Sequence, residues 1–525
     1  MTLVKKIIIV GLVFCTPVLS VFAEPFKTLP EVVSYTVLNN PEVSEGWFNF
    51  KAALAEKRAA QGGYLPSVDL VAQVGRERSD TPTTSQRSYS ADSTRLTLTQ
   101  MLFDGFEVRN NVKRLDAASL ARFYELRLVS EEKAREAAQA YIDVMRYQDL
   151  VELAKDNYIQ HKLLFDDIKE RTDAGISRRV DLDQARGRLA LSETNLLTEV
   201  DNLHDVTARY QRIVGLLPPE NPQWPTLPDD ILPTEKQQAL RVAYALSPAI
   251  NSAIENLNSA KAEAKTKNAP MLPRFDLRLR QELEHDRDGV DGQYDEQAVE
   301  LVMSYNLYRG GSDSAEKRQF HERANAAREQ RVKACQEVRQ TVAIAYNNTT
   351  SLQEQLAYQR INREATGKAR DAYREQFDIG QRSLLDLLDQ ENEYFQISRS
   401  VVNAEADFIA AQVATLAGMG QLLKALDVVG YEGVAREGLN LNREVDEALY
   451  GRCPAEVPNQ MRVDKDALLK AVMEGQNISA LSSSFSAQPQ QAVEVKDYAS
   501  GRSIATVKFD FGSVFVKPDE RQALN

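Results

Sequence analysis

Two aspartates, three residues apart, are the side chains of this sequence best placed to do chemistry. Asp386 and Asp389 lie in a segment with helical spacing, shortly after a glycine-containing turn at Gly380. Residues three apart share one face of a helix, and crowded carboxylates favour the binding or passage of cations. Ser383 and Asp386 also form an S-x-x-D pattern, in which the aspartate caps a helix N-terminus. The spacing alone leaves both roles open.

The other polar residues form no pattern typical of an enzyme. The sequence has neither a phosphate-binding loop nor a nucleophile elbow, and its histidines lack metal-ligand spacing; they are His161, His204, His285 and His321. A formal net charge of -12 without a basic block is typical of proteins that do not bind nucleic acid. We therefore expect no catalysis, no cofactor, no metal site and no nucleic-acid partner.

The elements that must position the aspartates occur twice, about 205 residues apart. Three of the repeated motifs are Tyr64-Leu65-Pro66 with Met271-Leu272-Pro273, Leu102-Phe103-Asp104-Gly105 with Leu307-Tyr308-Arg309-Gly310, and Asp173-Ala174-Gly175 with Asp378-Ile379-Gly380. This period is too long for a solenoid unit. The sequence therefore predicts that a whole half-structure was duplicated and that the two copies occupy near-equivalent places.

Four short segments alternate between apolar and polar residues, which predicts strands. They are 68–74, 96–103, 275–280 and 299–307, and they pair as two hairpins with polar tips at 76–92 and 284–297. The pattern fits soluble hairpins and also the weak signature of an outer-membrane barrel. After the leader no apolar run is long enough for a membrane helix, so a membrane would be crossed by strands. About eight strands are needed to close a barrel, so several chains would have to contribute.

Long helices are predicted between these hairpins and the glycine turns. The stretches 105–175 and 311–380 contain no proline and reach roughly 100 Å as helices. Both carry heptad-like spacing, with Ala137 and Ala140 in one seam and Val338 and Val342 in the other. Returning helices are predicted at 177–214 and 383–424, after glycines that suit the left-handed helix end. A soluble coiled-coil rod would explain these helices but would leave the hairpins without a role.

The segment boundaries follow from the leader, the repeat and a proline cluster. They are a signal peptide at 1–23, a first repeat at 24–217, a linker at 218–233, a second repeat at 234–427 and an extension at 428–525. Cys335 is predicted to be a buried thiol, since two mature cysteines make no disulfide framework in a chain this long. Residues 477–495 are Ser- and Gln-rich and are predicted to be flexible. Residues 505–518 resemble the start of an OmpA-like peptidoglycan-binding domain, which implies a truncated module with at most weak peptidoglycan contact.

Residues 24–424 resemble the TolC family of outer-membrane channel-tunnels. The motifs that carry the resemblance are Tyr64-Leu65-Pro66, Leu102-Phe103-Asp104-Gly105 and Gly380-Gln381-Arg382-Ser383-Leu384-Leu385-Asp386-Leu387-Leu388-Asp389. The family implies a mainly α fold with a β-barrel part: long helical hairpins and four strands per chain. Three chains would form a 12-stranded barrel in the outer membrane of a Gram-negative bacterium and a helical tunnel through the periplasm.

The resemblance also assigns roles at the narrow end of the tunnel, where the turns at Gly175 and Gly380 lie. It implies that Asp386 and Asp389 form the pore constriction. It implies an entrance gate in which Arg382 bonds a neighbouring helix, with Asp181 as its partner. The family's gate tyrosine is Phe377 here, which keeps the ring but loses the hydroxyl. Two arginines on the first turn, Arg178 and Arg179, would contact a periplasmic adaptor or carry solvated surface charge.

The resemblance implies a trimeric exit duct without an energy source of its own. Its partners would be a periplasmic adaptor protein, an inner-membrane transporter driven by ATP or protons, and outer-membrane lipid. Type I protein secretion is the favoured route, with small-molecule efflux as the alternative. A periplasmic coiled-coil protein without a pore is the alternative of another class.

Overall fold

The computed structural model describes residues 26–81, 84–219, 222–228, 231–287, 290–431, 433, 453, 465–474, 493–496 and 503–507. The predicted signal peptide and most of the extension, including most of the 477–495 segment and residues 508–525, lie outside these ranges. The chain divides into two units, Met1–Val457 and Pro458–Asn525.

The first unit contains two runs of the same elements. Its helices are α1 Leu29–Asn39, α2 Pro41–Gln61, α3 Glu107–Asp173, α4 Arg179–Val214, α5 Lys236–Leu246, α6 Pro248–Thr266, α7 Ser312–Asp378, α8 Leu384–Gly418 and α9 Leu422–Ala425. Its strands are β1 Ser67–Gln73, β2 Arg76–Thr81, β3 Thr84–Ser90, β4 Asp92–Phe103, β5 Arg274–His285 and β6 Gln293–Ser304. Each half therefore contains two short helices, a strand pair, a long helix and a returning helix.

The short helices were not part of the sequence prediction, although their signal is present. Asn40 ends α1 and begins α2, where its Oδ1 accepts a hydrogen bond from the Glu42 N–H at 2.9 Å. Pro41 follows as the first helical residue, and Ser247-Pro248 repeats the arrangement before α6. A capping side chain followed by proline is typical of a helix start.

The four main strands form one antiparallel sheet in the order β1-β4-β5-β6. The polar tip predicted at 76–92 differs from the structure, because β2 and β3 form a second hairpin there. Tyr89 and Glu77 face each other across that hairpin, and the tyrosine hydroxyl donates to the carboxylate at 2.9 Å. The second tip is shorter than predicted, since β5 runs to His285 and β6 begins at Gln293. Both differences reflect cross-strand pairing of polar residues, which single-strand hydropathy does not register.

One face of the sheet is apolar and exposed. The register places Val68, Leu98, Leu279 and Val299 in a row across all four strands. Val299 is 76% exposed in the single chain. The opposite face carries charge, as in the row formed by Arg95, Glu282 and Glu296. The edge strands β1 and β6 each pair on one side only within the described sheet.

Helices α3 and α7 each span 67 residues, which corresponds to roughly 100 Å. Most residues of the predicted seams are buried; these include Ala137, Ala140, Val144, Val338 and Val342. The returning helix of the second half ends at Gly418, short of the predicted 424. Gly420 adopts φ +66, which breaks the helix before α9.

The largest apolar cluster packs the short helices against the middle of α3 and α7. Cys335 lies in this cluster but is not a thiol, because it forms a disulfide with Cys453 across 118 residues of chain. The prediction of a buried thiol was wrong. Hydropathy detected the burial of Cys335, but the pairing depends on where the chain after α9 returns.

Part of the proline-rich linker packs on α3. Residues 222–228 form neither helix nor strand, and the Trp224 indole N–H donates to Asp149 Oδ2 at 3.0 Å. The Tyr141 hydroxyl donates to the Gln223 carbonyl at 2.8 Å. These bonds fix the connector between the two halves against the first long helix.

The second unit contains a short helix, α10 Lys465–Met473, and an antiparallel pair, β7 Val493–Lys496 with β8 Ser503–Val507. Strand β8 covers the first residues of the predicted OmpA-like strand, whose remainder lies outside the described residues. Residues 493–495, the last three of the segment predicted to be flexible, lie in β7.

None of the helices among the described residues combines the length and the apolar character needed to cross a membrane.

We expect Gly105→Ala to destabilise the fold by about 2 kcal/mol, because a β-carbon conflicts with both space and backbone there. Gly105 has φ +69, and an added Cβ would lie 2.8 Å from the Ala269 carbonyl oxygen. Gly187→Ala is the matched control, since nothing lies within 4 Å of its Cβ position in α4. The control should be stabilising by roughly 0.5–1 kcal/mol. Thermal unfolding of both variants in detergent, followed by circular dichroism, measures the difference; equal midpoints would contradict the prediction.

Candidate functional site at the helical turns

The turns that join α3 to α4 and α7 to α8 are built in the same way. Gly175 has φ +75 and Gly380 has φ +76, which only glycine adopts without strain. The amide of the residue after each glycine reaches back to the helix end: Ile176 N–H donates to Arg171 O, and Gln381 N–H to Gln376 O, both at 2.8 Å. The two turns are thus equivalent scaffolds for different side chains.

Behind the turns lies an apolar cluster that joins the two halves. Leu164, Ile168 and Ala185 of the first half are buried against Phe377, Leu384, Leu387 and Leu388 of the second. Phe377 is 9% exposed, and the Arg171 guanidinium lies 5.5 Å from the centre of its ring. A phenylalanine suits this position because a buried hydroxyl would need a hydrogen-bond partner. Where the resemblance implies a tyrosine, Phe377 is therefore held by apolar packing.

Arg382 is held on its own hairpin. Its Nε donates to Gln376 Oε1 at 2.9 Å, and its guanidinium lies 4.2 Å from the centre of the Tyr373 ring. Its Nη1 is 3.9 Å from Asp386 Oδ2. The predicted partner, Asp181, accepts hydrogen bonds from Arg178 within the same chain. The bond between Arg382 and Asp181 on a neighbouring helix stays a prediction.

Asp386 does cap α8. The Ser383 hydroxyl donates to Asp386 Oδ2 at 2.9 Å, and the Asp386 N–H donates to Ser383 Oγ at 3.3 Å. The Asp386 side chain is nevertheless 44% exposed. Capping and exposure to a pore are therefore compatible. Among the described residues, no three His, Cys, Asp or Glu side chains are grouped closely enough to hold a metal ion.

Asp389 binds a residue that sequence reasoning missed. Arg188 of α4 donates to Asp389 Oδ1 at 2.5 Å, which joins the two halves close to the turns. Arg188 lies on the α4 face that packs toward α8. No spacing pattern connects it with a residue about 200 positions later, so only the tertiary structure identifies this pair.

A second charged pair lies beside the first. Arg374 contacts Glu391 Oε1 at 3.1 Å and donates to Gln160 at 2.8 Å. Glu391 is only 4% exposed, and burial raises the pKa of its carboxyl while Arg374 and Arg370 lower it. The guanidiniums of Arg188 and Arg374 both lie near enough to act electrostatically on His161, which is 5% exposed. Burial, and then the two positive charges, lower the pKa of His161 to about 4.

We expect His161 to make stability pH-dependent between pH 6.5 and about 4. In this window the unfolded chain protonates the imidazole and the folded chain does not, so stability falls as the pH falls. Below pH 4 the loss in the free energy of unfolding reaches about 3 kcal/mol. Above pH 6.5, the ordinary pKa of histidine, His161 causes no loss. The positive charges of Arg188 on α4 and Arg374 on α7 disfavour protonation of the imidazole. Asp389 and Glu391 on α8 bind those two arginines.

The measurement is the thermal midpoint at pH 7 and pH 4 for the parent and for His161→Leu. The variant should show a smaller drop, while His321→Gln, at an exposed position on α7, should behave like the parent. An equal drop in the parent and in His161→Leu would contradict the assignment.

The outer surfaces of the turns are partly apolar. Ile176 and Val180 are exposed on the first turn, and Ile379 and Leu385 on the second. Arg178 and Arg179 are also exposed, and Arg178 pairs with Asp181 at 3.1 Å. The end of each hairpin therefore presents both aliphatic and positively charged groups.

An open sheet with an exposed apolar face, joined to paired helical hairpins roughly 100 Å long, defines the class of outer-membrane channel-tunnels. Solved outer-membrane channels have this fold. The channel OprN superposes with a TM-score of 0.67 at 20% identity, covering 75% of this chain and 90% of that one. The open-state MtrE channel of Neisseria gonorrhoeae superposes with 0.65 at 16% identity, covering 76% and 90%.

The family model described as outer membrane efflux protein matches residues 32–215 and 239–421, and the chain belongs to this family. One similar relative is the outer membrane efflux protein BepC of Brucella suis biovar 1 (strain 1330). It is 25% identical, and the match covers 80% of this chain and 91% of BepC. TolC of Escherichia coli (strain K12) is 23% identical and covers 75% and 83%. The alkaline protease secretion protein AprF of Pseudomonas aeruginosa is 22% identical and covers 71% and 80%. These relatives are channel proteins, and the family places this protein in the outer membrane.

Proposed function

We propose that the chain forms a trimeric exit duct of a tripartite export system. The observation that carries this proposal is the open sheet β1-β4-β5-β6, which has two edge strands and an apolar face exposed in the single chain. Four strands are too few to close a barrel, and three copies supply twelve. Closure would pair the edges, turn the apolar face to lipid and turn the charged face to the lumen.

The same arrangement supports the division of the chain proposed from the sequence. In this proposal the repeats 24–217 and 234–427 each contribute two strands and two long helices, joined by the linker 218–233. The two segments matched by the family model fall within these repeats. The extension 428–525 stands outside them.

Type I protein secretion is the proposed cargo route. It is supported by the similarity to AprF and to the proteases secretion protein PrtF of Dickeya chrysanthemi, 23% identical over 409 residues. Small-molecule efflux is the second candidate, favoured by the similarity to BepC. The exposed aliphatic and arginine side chains at the turns support docking of a periplasmic adaptor, which would connect the duct to an inner-membrane transporter driven by ATP or protons.

Two experiments test these proposals. Purified protein should run as a heat-resistant trimer in detergent and conduct ions in planar bilayers; a water-soluble rod without conductance would favour the non-channel coiled coil. Deletion of the chain, followed by comparison of secreted proteins and drug sensitivity in one strain, separates the routes. Loss of a secreted protein at unchanged drug sensitivity supports type I secretion, and the reverse result supports efflux.

A further inference from the structure

The end of the sheet that joins the long helices carries exposed aromatic side chains. They are Tyr64 before β1, Phe106 after β4, and Tyr305 and Tyr308 after β6. The last row of the apolar face lies directly beside them and is formed by Phe103, Phe275 and Met303. Aromatic rings that border an apolar band are typical of the interface between a membrane and water. In the proposed duct this end of the sheet therefore lies at the level of the lipid headgroups.

Phe106 adopts a backbone conformation that disfavours a side chain. Its φ is +67, and the repeat places Gly311, with φ +83, at the equivalent position of the second half. The Phe106 ring is nevertheless 48% exposed, and it meets the Phe103 ring edge-on at 5.2 Å between centres. A strained backbone that holds an exposed aromatic ring points to a role outside the packing of the chain. The ring extends the apolar face beyond its last row, in the first half only.

Arg109 lies on the same side, three residues further along the chain. Its side chain is exposed, and its guanidinium is 5.9 Å from the centre of the Phe106 ring. In the part of the chain that the structure describes, no carboxylate forms an ion pair with Arg109. The equivalent residue of the second half is Ser314. The first half therefore presents a positive charge without an ion-pair partner next to an exposed aromatic ring.

Closure of the proposed barrel leaves this place uncovered. Strand β4 pairs with β1 on one side and with β5 on the other, and α3 packs between α2 and α6 of the same chain. A neighbouring chain would pair with the edge strands β1 and β6 instead. Phe106 and Arg109 therefore face the surrounding lipid and not a second copy.

We propose that Phe106 and Arg109 form a binding site for the phosphodiester of a membrane phospholipid, in the leaflet on the helical side of the outer membrane. This inference rests on the proposed function, because only a sheet that crosses the membrane brings these residues to a lipid headgroup. The guanidinium donates charge-assisted hydrogen bonds to the phosphate oxygens, for which its planar fork is suited. The ring lies at the boundary between headgroups and acyl chains. Three copies supply three equivalent sites.

The test is the binding of phosphatidylglycerol to the purified trimer in detergent, counted per trimer by native mass spectrometry over a lipid titration. The comparison lipid is a monoglucosyl diacylglycerol with the same acyl chains and no phosphate. The parent should bind up to three phosphatidylglycerol molecules more tightly than the glycolipid. Arg109→Gln should lower the affinity for phosphatidylglycerol about fivefold and leave binding of the glycolipid unchanged.

Two further variants serve as controls. Arg328→Gln removes the same charge from an exposed position about 24 Å along α7 and should bind both lipids like the parent. Phe106→Gly separates binding from folding, because glycine adopts φ +67 without strain and the thermal midpoint should stay close to that of the parent. Its affinity for phosphatidylglycerol should fall about two- to fivefold, since the ring no longer holds the guanidinium.

The outcomes separate the lipid site from the duct, since trimer assembly and conductance are measured on the same preparations. Equal affinity of a conducting parent for the two lipids overturns the site and leaves the proposed function intact, as does an Arg109→Gln variant that binds phosphatidylglycerol like the parent. Displacement of the lipid by inorganic phosphate at equal concentration also overturns it, because a free anion would then be the ligand. A parent that is a water-soluble rod without conductance overturns the proposed function and the site together.

Discussion

Replacement of Arg382 by alanine is expected to raise the resting conductance of the channel in planar bilayers. The substitution removes the bond to Gln376 and the contact with the Tyr373 ring, which fix the guanidinium beside the second turn. Because the Arg382 side chain is 38% exposed and its bonds are screened by water, we expect a shift toward the open state of about two- to fivefold per chain. The variant would also lose the predicted bond between Arg382 and Asp181 on a neighbouring helix, which increases the effect.

Arg186→Ala, at an exposed position on α4, is the control for loss of one arginine. It should leave resting conductance unchanged. Arg382→Lys adds a second comparison, because lysine keeps the charge but not the planar group that lies on Tyr373. If Arg382→Ala conducts like the parent, Arg382 has no part in the gate.

Removal of both carboxylates proposed to line the pore is expected to weaken block by multivalent cations. Asp386→Asn with Asp389→Asn removes six charges from the mouth of the proposed trimer, while the asparagine oxygen can still cap the Ser383 N–H. A ring of confined carboxylates concentrates cations, so we expect the blocking concentration to rise by about tenfold or more. The measurement is the dose–response of conductance to a trivalent cation.

Asp183→Asn removes a carboxylate from an exposed position on α4 and should leave the block unchanged. Conductance without blocker must be recorded for each variant, since the loss of Asp389 also releases Arg188. Block of undiminished strength in the double variant would show that Asp386 is only a helix cap and would exclude the pore assignment.

The residues around the turns illustrate how far sequence reasoning reaches. Local signals predicted the glycine at each turn, the cap formed by Ser383 and Asp386, and the buried seams of α3 and α7, because helix ends and heptads depend on neighbours within a few residues. The hairpin β2–β3 was missed because its residues are polar and its stability comes from cross-strand pairs. The disulfide of Cys335 was missed because it joins positions 118 residues apart.

The sequence by itself determined the duplication, the order of strand pairs and helical hairpins in each half, and the family. These depend on periodicity and on short motifs, which can be recognised without knowledge of the fold. The tertiary structure decided the pairing of charges. Only the packing of α4 against α8 brings Arg188 to Asp389, and only the cluster between the halves makes Phe377 an apolar contact. The burial of His161 near Arg188 and Arg374 is likewise a result of the tertiary structure. Such contacts form between residues about 200 positions apart, and a single sequence does not show which residues so far apart in the chain lie close together in space.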